Sequence, residues 1–366
     1  MKIIYIEPYY SGSHKKWIDS YQKYSQHEIK ILSLPGNKWK WRMHGGAITL
    51  ANEVLKLKED IDLILCSDFL NLPVFNSICG NKISNIPILM YFHENQLSYP
   101  WSPEDKDIDL KRDLHYHYIN YTSSLVSDYN FFNSKYHLNS FISSVKKYLK
   151  KMPDFNNFES IDLILEKSSS LYIGCELEKF NDYKLNKNNN KPLILWNHRW
   201  EFDKNPKFFF ENLFKIKDEG IDFELAILGE KFKEYPEIFD KAKSKLSDNI
   251  VQFGYCDTFE EYAKWLWKAD ILPVTSNQDF FGISIVEAVY CNVIPILPKR
   301  LTYPELFNFN ENSDYFYFND QMFYQKLKET IINYKKKILE LSGLVKQYDW
   351  KYMAPLYDKT LNDFKK

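Results

Sequence analysis

Residues 269–290, ADILPVTSNQDFFGISIVEAVY, combine a strand, an acidic loop and a helix, and this combination decides the fold class. The apolar run at 269–276 is typical of a buried strand, and apolar residues recur with helical spacing from Ile283 onward. Asp279 and Gly282 lie between them. Parallel sheets place their ligands at the carboxyl ends of strands, beside the first turn of the following helix. The stretch therefore predicts an α/β protein with an anion site at this helix N-terminus.

The same alternation of short apolar runs and helical stretches continues along the chain. Candidate strands span residues 2–7, 27–34, 61–67, 86–94, 129–134 and 170–175, then 192–199, 223–230, 249–255, 269–276, 293–298 and 314–318. The polar segment YKLNKNNNK at 183–191 separates the two sets and is typical of a linker. We therefore predict two Rossmann-like domains at 1–187 and 188–345, followed by a C-terminal helix at 346–366 that crosses back to the first domain.

Composition excludes several classes of protein. The 366 residues are 45% hydrophobic with a net charge of -1, so the chain is globular and a polyanion must be held by a local patch. Apolar runs stay well below the roughly 18 residues of a membrane span, and the start MKIIYIEPYY lacks the order of a signal peptide. The 5 cysteines are widely separated, which is typical of reduced thiols. We expect a cytoplasmic protein with no membrane partner.

Two acidic residues bracket the glycine of the opening stretch. Glu287 lies about one turn inside the helix, where its carboxylate can accept hydrogen bonds from ribose hydroxyls. The alternative is a solvated Asp279 and a capping or buried Glu287. Spacing alone leaves both interpretations open.

Two cations follow the first strand of the second half. NHRWEFDKNP at 197–206 supplies Arg199 and Lys204, which differ in shape and suit the neutralisation of a leaving diphosphate without a metal. The alternative is a salt-bridged loop, since Glu201 and Asp203 lie in the same stretch.

Strand ends in the first half also carry polar residues. YFHENQ at 91–96 places His93 after a strand, where it faces either a bound sugar or the core. A HExxH zinc site fails because Leu97 occupies the place of the second histidine. YYSGSHK at 9–15 contains Gly12, which can bring the backbone close to a ligand, but it is not a dinucleotide-binding pattern. We expect no metal.

KWKWRMH at 38–44 is the most unusual segment of the chain. In an extended conformation, Trp39 and Trp41 would lie on one side and the cations on the other. Such a surface suits stacking with unpaired bases and contact with phosphates. The alternative is an amphipathic connector whose tryptophans cap the core.

Together these features resemble the GT-B glycosyltransferases of the large retaining family that includes glycogen and sucrose synthases. The E-x7-E pattern of that family appears as Asp279 to Glu287, with aspartate in the first place. A narrower resemblance, to the tRNA-queuosine alpha-mannosyltransferases, rests on EPYYSGSHK, KWKWRMHGG, YFHENQLSYPW, FFNSKYHLNSF, HRWEFDKNP, LGEKF and DFFGISIVEAVYCNVIPILPKRLTYPELF.

The resemblance implies two Rossmann-like domains that face a deep cleft. It also implies transfer of mannose from GDP-mannose to the cyclopentenediol of queuosine, at the anticodon wobble position of tRNA-Asp, with retention. GDP-mannose would be a co-substrate, and neither a cofactor nor a partner subunit is implied.

The resemblance assigns a role to each candidate residue. Arg199 and Lys204 would hold the diphosphate and Glu287 the ribose, while His93 would contact the sugar near its reacting face. The other donor-side residues would be Gly12, Asp279, Phe281, Gly282 and Ile283. The acceptor-side residues would be Lys38, Trp39, Lys40, Trp41, Arg42, His44 and Asn95.

Two other functions stay open. A GT-B enzyme with another sugar nucleotide or a non-tRNA acceptor would keep the second-half motifs without needing KWKWRMH. A catalytically inactive tRNA-binding protein would not need Arg199, Lys204 and Glu287 intact.

Overall fold

The computed structural model describes residues 1–101, 105, 107, 110, 114–231, 234–336 and 340–365. The chain divides into two compact units. Unit 1 comprises residues 1–174 together with the segment from Trp350 onward, and unit 2 comprises residues 175–349. In the described residues, each unit contains a six-stranded parallel sheet with helices in its crossovers, which confirms the predicted α/β class.

The sheet of unit 1 has the strand order β2-β1-β3-β4-β5-β6. Its strands are β1 (Lys2–Tyr10), β2 (Glu28–Pro35), β3 (Leu63–Ser67), β4 (Ile88–Phe92), β5 (Tyr129–Phe132) and β6 (Ser168–Ser170). Its helices are α1 (Gly12–Tyr24), α2 (Trp39–Lys56), α3 (Leu72–Cys79), α4 (Leu114–Val126), α5 (Lys135–Leu149), α6 (Glu159–Glu166) and α13 (Trp350–Asn362).

Continuous apolar runs explain the centre of this sheet. Every residue of β3 and β4 is buried, as expected of parallel strands covered by helices on both faces. Asn71 and Ser134 begin α3 and α5, because their side chains accept hydrogen bonds from backbone N–H groups of the first turn. Because β1, β3 and β4 are parallel neighbours, their carboxyl ends lie side by side at one edge of the sheet.

The sheet of unit 2 has the order β12-β11-β10-β7-β8-β9. Its strands are β7 (Leu193–Trp196), β8 (Glu224–Ile227), β9 (Ile250–Phe253), β10 (Ile271–Pro273), β11 (Ile294–Pro298) and β12 (Phe316–Tyr317). Its helices are α7 (Pro206–Asp218), α8 (Ile238–Lys245), α9 (Phe259–Lys268), α10 (Ile283–Tyr290), α11 (Tyr303–Leu306) and α12 (Asp320–Asn333). Trp200 stacks on Phe239 at 4.2 Å in an aromatic core that fixes the segment after β7.

The division of the chain differs from the predicted boundaries. Unit 2 begins at Cys175 rather than after residue 187, because the intervening segment packs against unit 2. The backbone N–H of Cys175 donates to the carbonyl of Tyr348 at 2.7 Å, and Lys187 Nζ donates to the carbonyl of Asn292 at 2.7 Å. The predicted linker at 183–191 therefore lies entirely within unit 2.

The C-terminal helix α13 belongs to unit 1. Asp358 accepts a hydrogen bond from Tyr21 OH at 2.8 Å, and Tyr357 OH donates to Tyr91 OH at 2.8 Å. The indole of Trp350 lies directly against Gly174, where an added Cβ would be 2.3 Å from the ring. Within the described ranges, no helix is long and apolar enough to cross a membrane.

Candidate active site

The loop that precedes α10 turns on Gly282. This glycine has a φ of 87°, in the left-handed region, and forms the N-cap of α10. A Cβ at this position would lie 3.2 Å from Ile285 Cδ1 and 3.4 Å from Tyr303 Cε1. Gly282 provides no side-chain cap, so the first amides of α10, beginning at Ile283, are available to an anion. Phe281 is buried beside them and packs edge-on against Tyr348.

Asp279 is fixed by hydrogen bonds at both carboxylate oxygens. Oδ1 accepts from Lys204 Nζ at 2.9 Å, and Oδ2 accepts from Tyr303 OH at 2.5 Å. Burial alone would raise the pKa of this carboxyl, but the charge of Lys204 and the hydrogen bond from Tyr303 hold it below its usual value. Asp279 is therefore an ionised, oriented carboxylate at the start of the loop.

Lys204 is a buried cation surrounded by oxygen atoms. In addition to Asp279, its Nζ atom donates to the carbonyl of Gln278 at 2.8 Å and lies 3.0 Å from Asp203 Oδ2. Arg199 is more exposed and its guanidinium pairs with Glu201 at 3.0 Å. Both predicted cations thus make salt bridges with carboxylates in this structure.

Glu287 lies on the buried face of α10. It accepts a hydrogen bond from Tyr262 OH on α9 at 2.8 Å. The phenol orients the carboxylate.

His198 was not singled out from the sequence, although it lies in the NHRWEFDKNP segment beside Arg199. Its Nδ1 atom is 3.4 Å from Ser284 Oγ on α10. Burial lowers the pKa of the imidazole to about 4, so it is neutral at neutral pH. The signal in the sequence was its position directly after a strand and beside Arg199.

A second polar cluster forms in unit 1 where β1, β3 and β4 end. Glu7 is wholly buried, and it accepts hydrogen bonds from Tyr5 OH and Ser67 Oγ, each at 2.9 Å. It also pairs with His14 Nδ1 at 3.0 Å. Burial opposes charge on His14, but the carboxylate of Glu7 raises the imidazole pKa to about 9. His14 is consequently a buried cation.

His93 lies against this pair. Its ring is 4.2 Å from the ring of His14, and both of its nitrogen atoms lack hydrogen-bond partners among the described residues. Burial and then the charge of His14 lower its pKa well below the usual value. Asp68 Oδ1 accepts from the backbone N–H of His93 at 2.9 Å, and burial raises the Asp68 pKa to about 8.

Glu7, His14 and Asp68 were missed from the sequence. Glu7 lies in β1 and His14 in α1, both within EPYYSGSHK, but only the sheet order shows that they meet His93. In the described ranges, no group of three or more His, Cys, Asp or Glu side chains is placed to hold a metal ion.

Gly12 and Asn95 lie close in sequence to His14 and His93, respectively. Gly12 begins α1 with a φ of 51°, and no atom lies within 4 Å of a Cβ built there. Asn95 is fully buried, and its Oδ1 atom accepts from the N–H and Oγ groups of Ser98 at 2.9 Å. Its Nδ2 atom has no partner in the part of the chain that the structure describes.

The KWKWRMH segment is helical, so the expectation of an extended strip with both indoles on one side is wrong. Lys38 has a φ of 52° and leads directly into α2, whose first residue is Trp39. Positions two apart in a helix differ by about 200° in direction. Trp39 therefore packs against Phe69 and Tyr116, while Trp41 is 62% exposed.

The polar residues of this segment also differ from one another. Lys40 pairs with Asp105 at 2.7 Å and Asp107 at 2.6 Å, so its charge is largely compensated. Arg42 donates to the carbonyl of Pro35 and to Asn37 Oδ1, each at 3.0 Å, and faces no carboxylate in those contacts. His44 is exposed, and desolvation together with His115 lowers its pKa. Trp41 thus provides an accessible aromatic ring, and Lys38 and Arg42 provide accessible cations.

Comparison with solved structures identifies the fold. A sucrose-phosphate synthase from Thermosynechococcus elongatus is 12% identical, with a TM-score of 0.72 over 99% of both chains. A lipopolysaccharide outer core galactosyltransferase is 13% identical, with a TM-score of 0.65 over 99% of both chains. These similarities show the GT-B fold, with two Rossmann-like domains, and confirm that prediction.

Sequence comparison identifies the family. Residues 2–175 match the family model described as tRNA-queuosine alpha-mannosyltransferase N-terminal, and residues 178–340 match glycosyl transferases group 1. A tRNA-queuosine alpha-mannosyltransferase of Drosophila melanogaster is 33% identical over 314 residues, which cover 83% of this chain and 81% of the relative. The chain is therefore a glycosyltransferase that belongs to the tRNA-queuosine alpha-mannosyltransferase family.

Proposed function

We propose that this protein transfers mannose from GDP-mannose to the cyclopentenediol of queuosine at the wobble position of tRNA-Asp, with retention at the sugar. Family membership supports the acceptor and the hexose. The main observation in support of a sugar-nucleotide site in unit 2 is the buried Lys204, which is held among oxygen atoms beside the N-terminus of α10. A buried cation next to the first amides of a helix suits a diphosphate.

Donor binding is then an exchange of anions. The diphosphate takes the place of Asp203 beside Lys204 and draws Arg199 from Glu201, while the amides from Phe281 to Ile283 face the donor. Glu287, oriented by Tyr262, accepts hydrogen bonds from the ribose. We propose that these groups neutralise the departing diphosphate without a metal ion.

Asp279 and His93 contact the transferred hexose in this proposal. Asp279 is ionised and fixed, which suits a carboxylate that accepts hydrogen bonds from sugar hydroxyls. His93 is neutral and has unpaired ring nitrogens among the described residues, so either nitrogen can donate or accept according to its tautomer. The acceptor hydroxyl attacks the anomeric carbon from the side of the departing phosphate, which takes the hydroxyl proton. The protein contributes positioning and charge stabilisation.

The tRNA anticodon loop binds along the N-terminal turn of α2. Unpaired bases stack on aromatic side chains, and Trp41 offers its ring to solvent. Arg42 and Lys38 contact phosphates, whereas Trp39 holds the helix in place through the core. We propose that the protein acts as a cytoplasmic monomer.

Mass spectrometry of tRNA nucleosides tests this function. Purified protein is incubated with GDP-mannose and tRNA from cells that make queuosine, and we expect a nucleoside heavier than queuosine by one hexose. Matched tRNA that lacks queuosine is the control and should give no product. UDP-glucose and GDP-glucose in parallel reactions identify the donor.

Each other outcome has a definite meaning. A hexose added only from another nucleotide would overturn the GDP-mannose assignment. Binding of tRNA without any hexose transfer from the tested donors would favour the inactive tRNA-binding protein.

A further inference from the structure

His198 lies at the carboxyl end of β7, close to the first turn of α10. Its Nδ1 atom is 3.4 Å from Oγ of Ser284, the second residue of that helix. The residue is only 3% exposed, and its Nε2 atom has no hydrogen-bond partner within the described part of the chain. Native proteins leave few buried polar atoms unpaired, and such atoms often mark a place for a ligand.

The imidazole is held in place by its surroundings. Trp196 Nε1 donates to the carbonyl of His198 at 3.0 Å, and the two rings meet edge-on at 5.2 Å. Gly229 allows this arrangement, since a Cβ there would be 1.9 Å from the same carbonyl oxygen. The unpaired nitrogen is therefore positioned before any ligand arrives.

His198 is neutral in the free protein. Burial is the largest influence and disfavours the imidazolium. Asp279 and Asp203 favour the charged ring, while Lys204 opposes it. A diphosphate at α10 would add negative charge next to this balance, and imidazolium would then be the favoured form.

We propose that His198 is a phosphate ligand of the sugar-nucleotide site and gains one proton from solvent when the diphosphate binds. In the charged ring both nitrogens donate, Nδ1 to Ser284 Oγ and Nε2 to a phosphate oxygen. This inference rests on the proposed function of unit 2 as the donor-binding unit. It adds a third cation to Arg199 and Lys204, one that is formed only in the complex.

Isothermal titration calorimetry without tRNA tests the proton uptake. GDP-mannose is titrated between about pH 6 and pH 8 in buffers of different ionisation enthalpy, a range in which its esterified phosphates do not change charge. We expect the wild type to take up as much as one proton per GDP-mannose. Affinity should then fall as pH rises, with a limiting slope of about tenfold per pH unit.

Two variants assign the proton. In His198→Gln the amide keeps a donor near the Nε2 position but cannot titrate, so GDP-mannose binding should lose both the uptake and the pH dependence. His137→Gln is the matched control, since His137 is also a buried histidine with a pKa lowered by burial, but it lies in unit 1. It should retain the uptake of the wild type.

The outcomes separate the two proposals. GDP-mannose binding to the wild type without proton uptake, or equal uptake in folded His198→Gln, would overturn this inference and leave the donor site intact. If His198→Gln does not fold, His198→Asn replaces it. Failure of the wild type to bind either GDP-mannose or UDP-glucose would overturn both proposals.

Discussion

Trp39 and Trp41 lie two residues apart and should respond in opposite ways to replacement by alanine. Trp41 is 62% exposed, so its removal costs little packing. Trp39 packs on Tyr116 with ring centroids at 5.0 Å and on Phe69 at 6.3 Å. Trp41→Ala should weaken tRNA binding alone, whereas Trp39→Ala should destabilise unit 1.

The expected magnitudes follow from these environments. A base stacked on an aromatic ring contributes about 1–3 kcal/mol, so Trp41→Ala should raise the Kd for tRNA by about 5- to 150-fold. Removal of a fully buried tryptophan costs about 3–5 kcal/mol, and half-burial of Trp39 reduces this to about 2 kcal/mol. That loss should lower the melting temperature by several degrees.

Gly45→Ala offers a third variant that keeps both tryptophans. An added Cβ would lie 2.7 Å from Cζ2 of Trp41, so the indole must move. Alanine also favours the helix more than glycine does. We therefore expect weaker tRNA binding without loss of stability.

Three measurements check this prediction. The Kd for queuosine-containing tRNA is measured over a series of salt concentrations, the Kd for GDP-mannose by calorimetry, and unfolding by thermal melting. GDP-mannose affinity should be unchanged in Trp41→Ala. Unchanged tRNA affinity in folded Trp41→Ala, or equal losses for tRNA and GDP-mannose, would refute the stacking role.

The remaining predictions concern charge. Arg42→Ala should lessen the slope of log K against log salt for tRNA by about 0.7–0.9, and an unchanged slope would exclude a phosphate contact. Arg199→Ala and Lys204→Ala should each lower turnover by orders of magnitude, since one transition-state contact contributes about 3 kcal/mol. Arg199→Lys should restore turnover only in part. Near-normal rates in both alanine variants would remove the diphosphate assignment. EDTA should leave most activity, and a strict requirement for a divalent ion would contradict the metal-free proposal. Tyr303→Phe should raise the Asp279 pKa, because the phenol helps to hold that pKa low. The acidic limb of the pH–rate profile should then shift to higher pH. An unshifted limb would mean that ionisation of Asp279 does not govern the rate.

The strands were predictable because parallel strands are apolar on both faces, and every predicted run overlaps an observed strand. The sixth run overlaps only at its first residue, because pairing with β5 uses Ser168–Ser170 while Leu171–Cys175 continues beyond the ladder. KWKWRMH shows that a short sequence pattern can predict the wrong secondary structure. Alternation over seven residues fits an extended chain, but the helix that follows it continues back to Trp39.

The candidate sites were predictable in part. Arg199, Lys204, Asp279 and Glu287 could be proposed because each lies in a motif with its own spacing, and their roles remain predictions, although the structure does bring Lys204 and Asp279 into contact. The cluster around Glu7 could not, since its members come from separate strand ends and only the strand order brings them together. Burial keeps His93 and His198 neutral, whereas the contact with Glu7 keeps His14 charged, and both influences are properties of the packed unit rather than of any short segment.

The position of α13 has a consequence for synthesis of the protein on the ribosome. Unit 2 is continuous in sequence, but unit 1 is completed by a helix translated after all of unit 2. We expect nascent chains that end near residue 349 to contain a folded, protease-resistant unit 2. Their unit 1 would still expose the aromatic surface of Tyr21 and Tyr91 that Tyr357 covers in the finished protein. We therefore expect mutations that weaken α13 to lower the yield of folded protein, because unit 1 then keeps this aromatic surface exposed.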